Sequence, residues 1–172
     1  MIPISTVRLP AECEQLVSEV LRSGVLAQGP MVLRLEEEFA RLCETEHAIA
    51  VNSGTTALVA AIQALGIGEG DEVVTSPFTF VATVNAILEA GASVVFADVD
   101  LGDGLVSPAH MSDACTQRTK ALMPVHLFGQ MCDMKGLRRI ADDAGIRIIE
   151  DAAQAHGARA RPTSRELSTS RW

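Results

Sequence analysis

Apolar and polar positions follow two periods along this chain, and the two alternate. Between residues 11 and 23, Leu16, Val17, Val20 and Leu21 recur at helical spacing. Pro10 stands before this stretch and Gly24 after it, so the pattern predicts a helix over 11–23 closed by a glycine cap. A second helix is predicted over 32–43, with Val32, Leu35, Phe39 and Leu42 on one face. Its Glu36, Glu37 and Glu38 read as a solvated face near the helix start, where negative charge is favourable. Short apolar runs then predict five strands, at 47–51, 72–75, 93–97, 121–125 and 147–149. Helices are predicted between them over 55–65, 81–90 and 134–144, and another opens with Ser107 as N-cap and Pro108 as first helical residue.

Strands separated by helices imply crossover connections, hence an α/β fold with a mostly parallel sheet and helices on its faces. In such sheets the chemistry sits at the carboxyl ends of the strands. Three polar clusters fall at those ends: residues 52–56, 151–156 and 76–80.

The first cluster contains Ser53-Gly54-Thr55-Thr56, between a strand and a helix. Glycine lets backbone approach a ligand, and free N–H groups at a helix start favour an anion such as one phosphate. Plain N-capping accounts for the same residues equally well. The second cluster holds Asp151 at the end of an apolar strand. A carboxylate there is costly without a positive partner, and a protonated ring nitrogen would be one. An N-cap role is the alternative. In the third, Phe78-Thr79-Phe80, an aromatic ring can stack on a flat cofactor or pack in the core.

Composition narrows the function classes. A chain of 172 residues is about one domain, able to bury roughly 68–70% of its unfolded surface. With 14 basic and 22 acidic residues the net charge is −8, which argues against nucleic-acid binding, since phosphate neutralisation needs a basic stripe. Five Phe, one Trp and no Tyr leave few platforms for stacking bases. No run of 18 apolar residues indicates a membrane span, and the N-terminus carries no evident secretory signal. Cys13, Cys43, Cys115 and Cys132 form no C-x-x-C pair, so they read as scattered reduced thiols of a cytoplasmic protein. His47, His110, His126 and His156 lack metal-ligand spacing and read as surface or packed residues, so no metal is expected. Gly66, Gly68 and Gly70 follow a helix and precede a strand, the reverse of a dinucleotide-binding order.

Taken in order, the motifs resemble the pyridoxal-phosphate-dependent sugar aminotransferases of the DegT family, which have the aspartate-aminotransferase (type I) fold. The matching segments are Gly29-Pro30 with its acidic helix, Asn52-Ser53-Gly54-Thr55-Thr56-Ala57-Leu58, Gly70-Asp71-Glu72-Val73, Thr79-Phe80-Val81-Ala82-Thr83, Pro124-Val125-His126-Leu127-Phe128-Gly129 and Glu150-Asp151-Ala152-Ala153-Gln154-Ala155-His156-Gly157. The resemblance implies that Gly54, Thr55 and Thr56 hold the phosphate of pyridoxal or pyridoxamine 5'-phosphate. It implies that Phe80 stacks on the pyridine ring, Asp151 pairs with its nitrogen and Gln154 contacts its hydroxyl. It further implies transfer of an amino group from an amino acid such as glutamate to a nucleotide-linked keto-sugar, for polysaccharide or antibiotic-sugar synthesis, by a homodimer.

The resemblance fades after residue 158. The family's Schiff-base lysine is not matched by Lys120 or Lys135, the only lysines, so no catalytic residue is assigned. The expected organisation is an N-terminal helix and arm over 1–30, a partial cofactor-binding large domain of three α/β/α layers over 31–158, and an off-family, unfolded tail over 159–172. A frameshift or early stop that removes the C-terminal domain would produce such a chain, which would be an inactive fragment. The alternatives are a non-catalytic module that binds the cofactor or a sugar nucleotide, a gene remnant without function, and a related sugar dehydratase. In those dehydratases a histidine replaces the lysine.

Overall fold

A computed structural model describes residues 6–159, so the tail expected over 159–172 lies, apart from Arg159, outside the described residues. They divide into two compact units, up to Ala50 and from Val51. The first contains α1 (Glu12–Ser23) and α2 (Pro30–Cys43). As predicted, Gly24 closes α1 in the left-handed conformation (φ 71°). Helix α2 starts at Pro30, earlier than its apolar stripe indicates, because Gly29 enters extended and proline's fixed φ suits the first helical position. Glu36, Glu37 and Glu38 therefore lie beyond the first turn, and the helix dipole is not what favours them. Two of them have specific partners: Glu36 accepts the Ala50 N–H at 2.8 Å, and Glu38 pairs with Arg34 at 2.8 Å on the surface.

The strand predicted over 47–51 does not form. A strand needs a neighbouring backbone to complete its ladder. Here the His47 carbonyl accepts the Thr45 hydroxyl and the Ala50 N–H goes to Glu36, while Ile49 stays 81% exposed.

The second unit runs α3 (Gly54–Ala64), β1 (Glu72–Thr75), α4 (Val81–Glu89), β2 (Ser93–Phe96), α5 (Pro108–Ala114), β3 (Thr119–Met123), α6 (Met134–Ala144) and β4 (Arg147–Ile148). The four strands are parallel in the order β2-β1-β3-β4, the α/β class that the alternating pattern predicts. Strand β1 has a neighbour on either side and is buried throughout, its end residues Glu72 and Thr75 included, whereas β2 forms a half-exposed edge. Val73, Ala121 and Met123 join Leu58 and Ile62 of α3 and Ala86 and Ile87 of α4 in one core. The alternate positions Val74 and Leu122 face the other side, where α5 packs on β1 and α6 on β3 and β4. The unit therefore has three α/β/α layers. Strand β3 stops at Met123 because Pro124 has no N–H to give the ladder. Pairing resumes one residue on, where Val125 bridges Asp151.

The chain leaves β1 toward β2 on one side and later returns to lay β3 on the other. The carboxyl ends of β1 and β3 thus diverge at a topological switch point, where a parallel sheet opens a crevice.

Candidate functional site

An open depression lies at that switch point, lined by Gly54, Leu58, Thr79, Phe80, Val125, His126, Asp151 and Gln154, with Ala82 and Ala153. Three of the four strand ends contribute. The segment after β1 brings Thr79 and Phe80, that after β3 brings Val125 and His126, and that after β4 brings Asp151. The Thr75 hydroxyl donates to the Met123 carbonyl at 2.8 Å, fastening the ends of β1 and β3 side by side.

Asp151 is held at both backbone groups. Its N–H donates to Pro124 O and its carbonyl accepts the His126 N–H, each at 3.0 Å. Its side chain is buried at 7% exposure. One oxygen, Oδ2, accepts the Thr83 hydroxyl at 2.6 Å, and Oδ1 accepts the Ala153 N–H at 3.3 Å. Hydrogen bonds to a carboxylate contribute on the order of 1.5–3 kcal/mol each and offset part of the burial cost. Among the described residues Asp151 forms no ion pair.

Two helix N-termini border the same depression. Gly54 is the first residue of α3, and Phe80 is the N-cap of α4. The Ser53 hydroxyl caps α3 by accepting the Thr56 N–H at 3.1 Å, and it lies 3.0 Å from the Thr56 hydroxyl. The N–H groups of Gly54 and Thr55 have no partner among the described residues. A side chain at position 54 would meet no protein atom within 4 Å, so internal packing does not require the glycine. Phe80 is 70% exposed and is therefore not a core residue.

Gln154 reaches the depression with one end already engaged. Its Oε1 accepts the Phe128 N–H at 3.2 Å and its carbonyl accepts the Gly129 N–H at 3.0 Å, which leaves the Nε2 donors open. These bonds hold Phe128 at φ 54°, a left-handed conformation rare for a bulky residue. Beside it, buried His126 accepts the Cys132 N–H at Nδ1 (3.3 Å), so Nε2 carries the proton and donates to Glu150 at 2.9 Å. Cys132 is buried as well, and burial pushes its thiol up to about 11.

Of the six residues singled out in the sequence, Gly54, Phe80, Asp151 and Gln154 line the depression, while Thr55 and Thr56 follow Gly54 in the first turn of α3 without lining it. Phe78 lies near Phe128, with ring centroids 6.4 Å apart. Lys120 on β3 and Lys135 on α6 do not line it. Sequence reasoning overlooked Thr79 and Thr83, although they stand four apart in a quoted motif. It classed His126 only as surface or packed; the residue is packed, and it also forms part of the wall. Among the described residues no group of His, Cys, Asp or Glu is placed to hold a metal, and no helix is long and apolar enough to cross a membrane.

Residues 8–165 match the DegT/DnrJ/EryC1/StrS aminotransferase family, and the chain belongs to it. The match runs past residue 158, where the resemblance was expected to end. Over 154 residues the chain is 47% identical to the spore coat polysaccharide biosynthesis protein SpsC of Bacillus subtilis, covering 90% of this chain and 40% of that one. It is 46% identical to the dTDP-3-amino-3,4,6-trideoxy-alpha-D-glucose transaminase of Streptomyces venezuelae, with 89% and 40% covered. The solved structure of S. venezuelae DesV superposes with a TM-score of 0.83 at 45% identity, over 86% of this chain and 40% of that one. Pyridoxamine phosphate is the bound cofactor in NtdA of B. subtilis (TM-score 0.81, 34% identity, 84% and 33% covered), and a sugar aminotransferase of Streptococcus pneumoniae is solved in its pyridoxal-phosphate form (0.84, 27%, 90% and 43%). The chain thus spans about 40% of the length of these relatives.

Proposed function

We propose that this chain carries the cofactor-binding part of a pyridoxal-phosphate-dependent aminotransferase acting on a keto-sugar attached to a nucleotide, with an amino acid such as glutamate as donor. The observation that carries the reading is Asp151. It is a buried carboxylate with no cation among the described residues, on the wall of a depression bordered by two helix starts. A flat ligand with a cationic ring N–H at one end and a phosphate at the other suits both features.

In this reading the Gly54 and Thr55 N–H groups and the Thr55 hydroxyl hold the phosphate. Thr56 takes a smaller share, because its N–H already serves the Ser53 cap. The exposed Phe80 ring covers a face of the pyridine, Asp151 pairs with the ring nitrogen, and Gln154 Nε2 donates to the ring hydroxyl. The bound cofactor supplies a cationic ring that draws electrons from the carbon losing its proton. Asp151 keeps that ring protonated, and the apolar surround of Leu58 and Val125 strengthens the pairing by excluding water. Neither Lys120 nor Lys135 lines the depression, so neither is placed to bond the cofactor. The reading includes the cofactor-binding domain over 31–158, a cytoplasmic location and a homodimer.

Calorimetry with pyridoxamine 5'-phosphate tests it. Binding by the chain, weakened at least tenfold in Asp151→Ala, is the expected result. Absence of heat with both pyridoxamine and pyridoxal phosphates, from a chain that melts cooperatively, overturns it.

A further inference from the structure

Thr83 lies in the first turn of α4 and is fully buried, in the same helix as the core residues Ala86 and Ile87. A hydroxyl in such a place is costly unless bonded, and valine has the same shape. Helical threonines commonly satisfy the hydroxyl on a carbonyl of the preceding turn. Here the hydroxyl crosses instead to a residue 68 positions away, donating to Asp151 Oδ2 at 2.6 Å. The Thr79 hydroxyl lies 2.7 Å from the Thr83 oxygen. A hydroxyl has one hydrogen, and Thr83 has given its own to the carboxylate, so Thr79 is the donor in that pair. The chain of donors runs Thr79 to Thr83 to Asp151, and it leaves Thr83 no other use for its proton.

We propose that Thr83 is a positioning residue for Asp151. It fixes Oδ2 so that the carboxylate plane stays turned toward a cationic ring N–H in the depression, and Thr79 locks Thr83 in that orientation. This rests on the reading of Asp151 given above. The Ala153 N–H on Oδ1 is a longer and weaker tether at 3.3 Å, so the short bond from Thr83 sets the rotation of the carboxylate.

The test compares two probes on the full chain: pyridoxamine 5'-phosphate, and its analogue with C–H in place of the ring nitrogen. Only the first offers the carboxylate an N–H. The unmodified chain should prefer it by about tenfold or more, the scale of a charge-assisted hydrogen bond. Thr83→Val should cut that preference about fivefold or more through weaker binding of the first probe alone, and Thr83→Ser, which keeps the hydroxyl, should restore it. An unmodified chain that binds both probes equally removes the reading of Asp151, and this proposal with it. A chain that discriminates, while Thr83→Val discriminates as well or loses both probes alike, overturns this proposal and leaves that reading standing. If Thr83→Val does not melt cooperatively, Thr83→Ala is measured in its place. Failure of both to fold while Thr83→Ser folds assigns the hydroxyl to stability and overturns the proposal.

Discussion

Glu150 Oε2 receives the Nε2 proton of buried His126 at 2.9 Å, and this bond joins the segments that follow β3 and β4. Glu150 itself is partly open to solvent, with 30% of its side chain exposed, whereas the imidazole is 2% exposed. Removing the acceptor therefore orphans the buried partner. Glu150→Ala should destabilise the chain by about 1–3 kcal/mol, the cost of an unsatisfied buried donor. Glu150→Gln, whose amide oxygen still accepts, should recover most of the loss. Urea unfolding measured on both variants checks the pair, and an equal loss in both would assign the effect to something other than the acceptor.

Gly136 permits the approach of α6 to α5. A Cβ there would collide with the Pro108 ring, lying 3.0 Å from its Cβ as well as closer to Cγ, and would lie 2.8 Å from Asp133 Oδ2. The aspartate can move only by giving up its cap of α6, where Oδ1 accepts the Gly136 N–H at 3.0 Å, and the proline ring at the start of α5 is rigid. Alanine ordinarily gains about 1 kcal/mol over glycine within a helix. Gly136→Ala should instead lose about 1–3 kcal/mol through overpacking. For a chain of this size each kcal/mol corresponds to roughly 2–4 °C in melting temperature. A rise in Tm would mean that the two helices separate more easily than their packing indicates.

Cys132 couples stability to alkaline pH. Burial raises its thiol from the ordinary 9.0 to about 11, and its Sγ–H donates to the Val125 carbonyl at 3.3 Å. The folded state therefore holds the proton more tightly than the unfolded state. The stabilisation is fully present below about pH 9 and is lost as pH rises through about 11. The urea midpoint should fall across that interval, and should fall less in Cys132→Ala. At pH 8, iodoacetamide should modify Cys13 and Cys43 well before Cys132, as peptide mapping would show.

The strands and helices that position the depression were legible because their signals are local. Ser107-Pro108 announces the start of α5, Gly145 the end of α6, and the short apolar segments Val73-Val74 and Ala121-Leu122-Met123 mark β1 and β3. The run at 47–51 carries the same local signal and forms no strand, because a ladder depends on a partner that residue pattern does not specify. The site divides in the same way. Phe80 and Asp151 could be found from their places after strand ends, and Gly54 from its place at a helix start, although the strand predicted before it does not form. Thr83 could not, since its role is a hydrogen bond across 68 positions, and a threonine inside an apolar helix looks like any other. His126 gave no signal for a similar reason, its acceptor standing 24 residues away.

Ser53 separates the two uses of the α3 N-terminus. Its hydroxyl accepts the Thr56 N–H at 3.1 Å and lies 3.0 Å from the Thr56 hydroxyl, so the Thr56 N–H, a donor that could face an anion, is occupied within the chain. Ser53→Ala should cost about 1 kcal/mol through the lost cap. It also frees the Thr56 N–H. If the helix start holds a phosphate, as proposed, the bound anion replaces the missing cap, so the melting-temperature deficit of Ser53→Ala should shrink as pyridoxamine 5'-phosphate is added. A cap whose loss is purely structural would leave the same gap between the two melting curves at every ligand concentration. Thermal melts of both proteins across a ligand titration distinguish these outcomes. A deficit that stays constant, or widens, would remove the phosphate from this helix start.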